Sequence, residues 1–326
     1  MTAAWPLLAL LLAPTAAPAP APAGREEYLE LIARARGGDV RGALARLLEW
    51  TPEETAAARP ECIGNCLRVS LLLHTEAQFI QRFLGHKEQG KAHIRATENV
   101  RHRIPKGDFD RRWLLAMGYR HQEWAMLGRA RGLFEEALRD YPNDAEALLA
   151  LGSLHEQLAS LPAPDNRTVY RTGELTDARR HYERALAQQP GYAEAKLRLA
   201  RVAQMLGQIE QAQRELGSLL AAEPPPAVAG YAHLFLGRIA EQGSHPELAI
   251  DHYRRAVSAD GALQAAYLSL SLALHGMGRT QEAAEVVLDG LRGTETADID
   301  GWYGYHCRDL HGYRLTMDRL WAELLP

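Results

Sequence analysis

The chain has 326 residues, 47% hydrophobic and 24% charged, with a formal net charge of −4. This is ordinary globular composition with ample apolar material for a core, and so small a charge sets up no strong field toward nucleic acid. Three cysteines, an odd and small number, exclude a disulfide-built scaffold.

In chain order, Ala3–Ala13 is an apolar stretch containing Leu7, Leu8, Leu10, Leu11 and Leu12, followed by an Ala- and Pro-rich tract, Pro14–Gly24. The stretch is too short to span a bilayer, and Ala-x-Ala sites recur from Ala17 to Ala23. Residues 1–23 therefore read as a secretory signal peptide, although its beginning lacks Lys or Arg, and the expected location is periplasmic or secreted. No later stretch is apolar for long enough to insert in a membrane. Across 25–110, Tyr28, Leu31, Ile32 and Ala35 have helical spacing. Gly37-Gly38-Asp39 then makes a turn, and Val40, Ala43, Leu44 and Leu47 resume the pattern. A second pair runs from Val69 to Phe83 and from Ala92 to Val100. If the chain is exported, Cys62 and Cys66 are close enough to oxidise to a local bridge.

Beyond residue 110 the sequence repeats. Small residues stand at Gly118, Gly152, Ala200, Gly237 and Ser271, and a second series at Ala130, Ala178, Ala212, Ala249 and Ala283. Pro142, Pro190 and Pro224 form a third series that ends with Gly261. A period of 34 residues accounts for every interval once two insertions are admitted, one at about 159–173 and a short one near Pro224–Pro226.

Within one period, Leu114, Met117, Gly118, His121, Ala130, Phe134, Ala137 and Pro142 recur as Leu148, Leu151, Gly152, His155, Ala178, Tyr182, Ala185 and Pro190. This pattern resembles the tetratricopeptide repeat family. The resemblance implies an all-α, right-handed α-solenoid of helix-turn-helix units, five of them across 111–297, with atypical terminal helices. Residues 25–110 would be degenerate repeats or a cap. Residues 298–326, with Trp302, Tyr303, Tyr305, Tyr313 and Trp321, would form a C-terminal segment covering the last apolar face.

The family geometry further implies that the first helix of each unit lines a concave wall. Its fifth positions read Leu115, Leu149, Leu197, Leu234 and Leu268, an unbroken leucine ladder. Tyr119, Arg201 and Arg238 occupy ninth positions, with Arg198 beside them. These residues form the expected partner-binding groove, an apolar floor with cations that grip carboxylates or carbonyls. The alternative at each leucine is packing between neighbouring helices, and at each arginine a solvated surface position. The Lys and Asn pattern by which some family members clamp a C-terminal carboxylate is absent.

Phosphate-binding loops, zinc-protease helices and serine-hydrolase elbows are also absent. Cys307 and His311 are two ligands at most, which do not make a metal site. The insertion offers Asp165, Arg167, Tyr170 and Arg171 but no positioned base or nucleophile. The expectation is a non-catalytic scaffold or adaptor, without cofactor, that holds a protein or peptide partner in its groove and binds no nucleic acid. The alternative is a self-assembling protein that forms a homo-oligomer through its aromatic C-terminal segment.

Overall fold

The computed structural model describes residues 25–57, 63–161, 167–293 and 310–325. All regular structure among them is α-helical. The signal-like start, Cys62, Cys307, Asp165, Trp302, Tyr303 and Tyr305 lie outside the described residues. Two compact units are present: residues 1–113 with 314–326, and residues 114–313.

The first unit contains α1 (Arg25–Arg36), α2 (Val40–Leu48), α3 (Pro52–Ala57), α4 (Asn65–Phe83) and α5 (Lys87–Arg101). Both helix pairs expected from the spacing, α1–α2 and α4–α5, are present. The short α3 is an addition, and a reciprocal cap explains it. The Thr51 N–H donates to Glu54 Oε2 at 2.7 Å, and the Glu54 N–H to Thr51 Oγ1 at 3.2 Å. The Thr-x-x-Glu sequence signal for that cap stands at Thr51–Glu54. Val69, Leu71, Leu72 and Leu73 of α4 are fully buried, which makes α4 the central helix of this unit. Its polar side chains make internal hydrogen bonds. The Tyr28 hydroxyl lies 2.5 Å from Ser70 Oγ and 2.8 Å from His74 Nε2, and Trp113 Nε1 donates to Thr75 Oγ1 at 3.0 Å.

Helix α6 (Asp108–Glu123) begins the array that α7 (Leu127–Asp140), α8 (Ala145–Ser160), α9 (Arg167–Gln188), α10 (Ala193–Met205) and α11 (Ile209–Ala221) continue. Helices α12 (Pro226–Gln242), α13 (Pro246–Ala259), α14 (Gln264–Gly276) and α15 (Thr280–Gly293) complete it. These are five helix pairs in the expected order. The insertion is not wholly a loop, because its residues 167–173 extend the start of α9.

The small residues mark close approaches between the two helices of a pair. A Cβ on Gly118 would lie 2.2 Å from Phe134 Cε1, one on Gly152 2.5 Å from Tyr182 Cε1, and one on Gly237 2.3 Å from Tyr253 Cε1. The third pair has Ala200 instead, opposite the smaller Leu216, and both are fully buried. Small on one helix therefore matches large on the other, which lets the axes come near.

A second regularity lies seven residues further on, in the turn between the two helices. Gly207 (φ 77°) and Gly278 (φ 76°) occupy the left-handed region, and Ala125 (φ 55°) and Ser244 (φ 59°) are forced into it at the same repeat position. In each case the next residue's N–H reaches back five residues, as in Gln208 N to Ala203 O at 2.9 Å and His245 N to Ala240 O at 2.9 Å. This double closure ends the first helix and aims the second.

Residues 298–309 of the expected C-terminal segment lie outside the described residues. Helix α16 (Leu310–Ala322) begins in the second unit, through Tyr313, and from Arg314 onward is counted in the first. Glu323 is tied to Arg112 at 2.6 Å, and Leu320 and Trp321 are buried. On α14, Leu268 is 58% and Leu272 70% exposed.

Candidate partner-binding surface

The groove predicted from the repeat pattern divides into three groups. Leu115, Leu149, Leu197 and Leu234 are at most 1% exposed, and so is Tyr119, whose ring meets Phe134 at 5.4 Å. They are core, not a floor open to a guest. Leu149 shares a cluster with Ala195 and Val202 of the next pair, and Leu197 and Leu234 share one with Leu263, Ala266 and Leu270. Periodicity identifies an apolar face but not which neighbour covers it, and here the following first helix does. Leu268, the last of the ladder, is exposed.

Arg198 is the second correction. Its side chain is buried and held between Glu194 (2.9 Å) and Glu156 (3.4 Å). Glu156 is itself buried and accepts the Tyr182 hydroxyl at 2.8 Å. This internal ion pair ties the second repeat to the third across 42 residues of sequence, a separation that hides it from local motif reading. Such a cation is already neutralised and does not reach for a partner.

Arg201 and Arg238 remain. They come from successive first helices, α10 and α12, and both are half-buried. The Arg201 guanidinium lies 4.8 Å over the Phe235 ring and donates through Nη1 to Gln204 Oε1 at 2.6 Å. Among the described residues it meets no carboxylate, and its buried Nε has no hydrogen-bond acceptor. Gln204, 6% exposed, likewise leaves Nε2 without an acceptor. Burial, and next the Arg201 cation, lower the proton affinity of Arg238, against opposing contributions from Tyr253 and Glu241. The two guanidinium groups are therefore near enough to act on each other electrostatically, with Glu241 offsetting part of the repulsion, and Arg201 and Gln204 each keep an unused donor. That arrangement suits an incoming carboxylate, which a planar guanidinium binds through two parallel hydrogen bonds.

A polar feature not anticipated from sequence is a set of histidine pairs, each joining the two helices of a pair. His74 and His93 meet Nδ1 to Nδ1 at 2.9 Å, and His233 and His252 at 3.3 Å. His155 stacks on His181 with centroids 5.5 Å apart and shares a 2.5 Å hydrogen bond with Glu174. Burial dominates the shifts and pushes His93, His181 and His233 down to about 4. The first two pairs share a spacing of 19 residues, which was the available signal. No group of three or more metal-ligating side chains gathers among the described residues.

Residues 127–163 and 170–233 match two tetratricopeptide repeat family models. No protein of curated function matches the chain. Among solved structures, Pseudomonas aeruginosa PilF is 16% identical, with 65% of this chain and 97% of that one covered at a TM-score of 0.46. A MamA crystal structure is 21% identical over 59% of this chain and 97% of that one, at 0.40. MamA from Desulfovibrio magneticus RS-1 is 20% identical over 60% and 100%, at 0.41. Residues 127–163 and 170–233 thus match the tetratricopeptide repeat, and they lie within the run of helix pairs whose small-residue contacts recur.

Proposed function

We propose that this chain is an exported adaptor that takes a carboxylate of an extended partner segment between Arg201 and Arg238. The repeat fold is a protein-interaction scaffold in general, and among the described residues no helix is long and apolar enough to cross a membrane. The observation that carries the specific reading is the Arg201–Arg238 pair itself. Two partly desolvated cations on successive first helices repel each other, Glu241 offsets part of that repulsion, and Arg201 meets no carboxylate among the described residues, so an incoming anion would relieve the rest. Phe235, fully buried beneath Arg201, fixes the guanidinium plane from below.

Export is supported by the signal-like start and by Cys66, which is disulfide-bonded. Such bonds persist in oxidising compartments. The test compares capture from native host extract by the wild type and by Arg201→Gln/Arg238→Gln. Loss of one reproducible protein, identified by mass, with an unchanged melting temperature is the expected result. Equal capture by both forms would remove the arginine pair from the binding surface. Fractionation of the host, with the mass of the mature amino terminus, tests export; full-length protein in the cytoplasm would refute it.

A further inference from the structure

The chain leaves the helix array at one end and is next described at the other. Gly293 closes α15, the second helix of the fifth pair. Tyr313 is buried, and the guanidinium of Arg120, on the first helix of the first pair, lies 5.0 Å from its ring. Residues 294–312 therefore return from the fifth pair to the first. The first helices of successive pairs touch from α8 to α14, and α6 meets α8 through Gln122 and Ser153 at 3.5 Å. At about 8–10 Å between packed axes, the four steps cover about 32–40 Å. One continuous helix of these residues would reach about 29 Å, whereas an extended chain reaches about 65 Å. An extended course spans the distance, and Gly301 and Gly304 disfavour a helix there.

Charge selects the wall along which the chain returns. Residues 294–305 carry Glu295, Asp298 and Asp300 and neither Lys nor Arg. On the second helices, Arg180 is already paired with Asp177 at 2.8 Å, and Arg255 with Asp251 at 2.9 Å. On the first helices, Arg201 meets no carboxylate among the described residues, and Arg201 Nε and Gln204 Nε2 keep unused protons. The order agrees as well. A chain leaving the fifth pair passes the fourth, with Arg238, and then the third, with Arg201, and all three acids precede residue 301. We propose that residues 294–309 are the groove's resident ligand, with Asp298 and Asp300 reaching Arg238 and Arg201. This rests on the groove reading above and adds its regulation, because a partner's carboxylate has to displace the chain's own. Tethering holds the resident acids at an effective concentration of about millimolar, so a weak contact suffices.

The probe is a fluorescein-labelled peptide with the sequence of residues 294–309 and Cys307→Ser. The full-length wild type should bind it weakly, because the resident segment competes. Full-length Glu295→Gln/Asp298→Asn/Asp300→Asn should bind it at least tenfold more tightly. Adding Arg201→Gln/Arg238→Gln to that variant should return binding to the wild-type level or below. A gain of less than tenfold, or no saturable binding by either form, overturns the proposal. Partner capture separates this failure from failure of the groove. If the arginine variant loses the partner while the acid-neutralised form captures no more than the wild type, the groove stands and the resident segment falls. If the arginine variant captures as the wild type does, both fall. A photo-crosslinking amino acid at position 299, in a mixture of light and heavy-isotope protein, locates the segment. Adducts to α10 or α12 within one chain support the proposal. Adducts to other helices alone, or between copies, overturn it.

Discussion

Adding one methyl group at Gly237 tests the packing rule on which the array rests. The new Cβ would stand 2.3, 2.5 and 2.9 Å from Cε1, Cδ1 and Cζ of Tyr253. Tyr253 cannot swing away freely, since it is fully buried and its hydroxyl donates to Glu241 at 2.6 Å. Overpacking of this kind costs about 1–3 kcal/mol. Alanine recovers up to about 1 kcal/mol through its better helix propensity. Gly237→Ala should therefore lose about 1–2 kcal/mol net, or roughly 2–8 °C in melting temperature for a unit of this size. The third repeat supplies the compensation, because it pairs Ala200 with Leu216. Tyr253→Leu alone should also destabilise, through lost volume and the lost hydroxyl bond. The double variant should be more stable than the sum of the two by about 1 kcal/mol or more in a thermodynamic cycle. Urea unfolding followed by circular dichroism measures all four corners. If Gly237→Ala matches the wild type, or the two changes simply add, the close-approach argument is wrong.

Four further outcomes are expected. Ala125→Gly and Ser244→Gly should each stabilise the protein by about 1 kcal/mol in urea melts, because they relieve a left-handed backbone that glycine tolerates; destabilisation would refute the strain. Arg198→Ala should cost about 3–5 kcal/mol by stranding the buried Glu156 carboxylate. Arg201→Gln should cost less than about 1 kcal/mol; equal losses in urea melts would contradict the division between them. Acid should weaken the fold through His93, His181 and His233, whose folded values near 4 lie below the ordinary 6.5. The unfolded chain takes the proton first, so this stability is complete above pH 6.5 and falls as pH drops toward 4. The slope is at most about 1.4 kcal/mol per pH unit at each site, and less at the half-exposed His233. A flat denaturation profile across that window would refute it. Finally, the denatured, unreduced chain should react with one equivalent of thiol reagent, since Cys66 and one other cysteine are bonded; three would refute the bond.

What can be read in the sequence is what repeats. The glycine and alanine series locates the helix pairs because close approach demands small residues at a fixed position in every unit. Burial of the leucine ladder is not legible, since helical spacing shows that a face is apolar but not whether a helix or a guest covers it. Arg198 escapes for a related reason. Its counter-charges are Glu194, one turn away, and Glu156 in another repeat, and only the fold brings the second within 3.4 Å. The Arg112–Glu323 pair is equally hidden, because it joins residues 211 apart in sequence. Helix α3 is within reach of sequence reading, because its Thr51–Glu54 cap is a local signal.

The matching of small and large residues within each pair also bears on how such an array is inherited. A first helix carrying Ala200, transplanted opposite Tyr253, would bring a methyl group onto a ring that has room only for glycine. A helix bearing Gly237 set against Leu216 would leave a hole. Gene duplication and shuffling can therefore trade complete hairpins, which arrive with their fitted counterpart, far more readily than single helices. Drift at either position of a couple is held in check by the other.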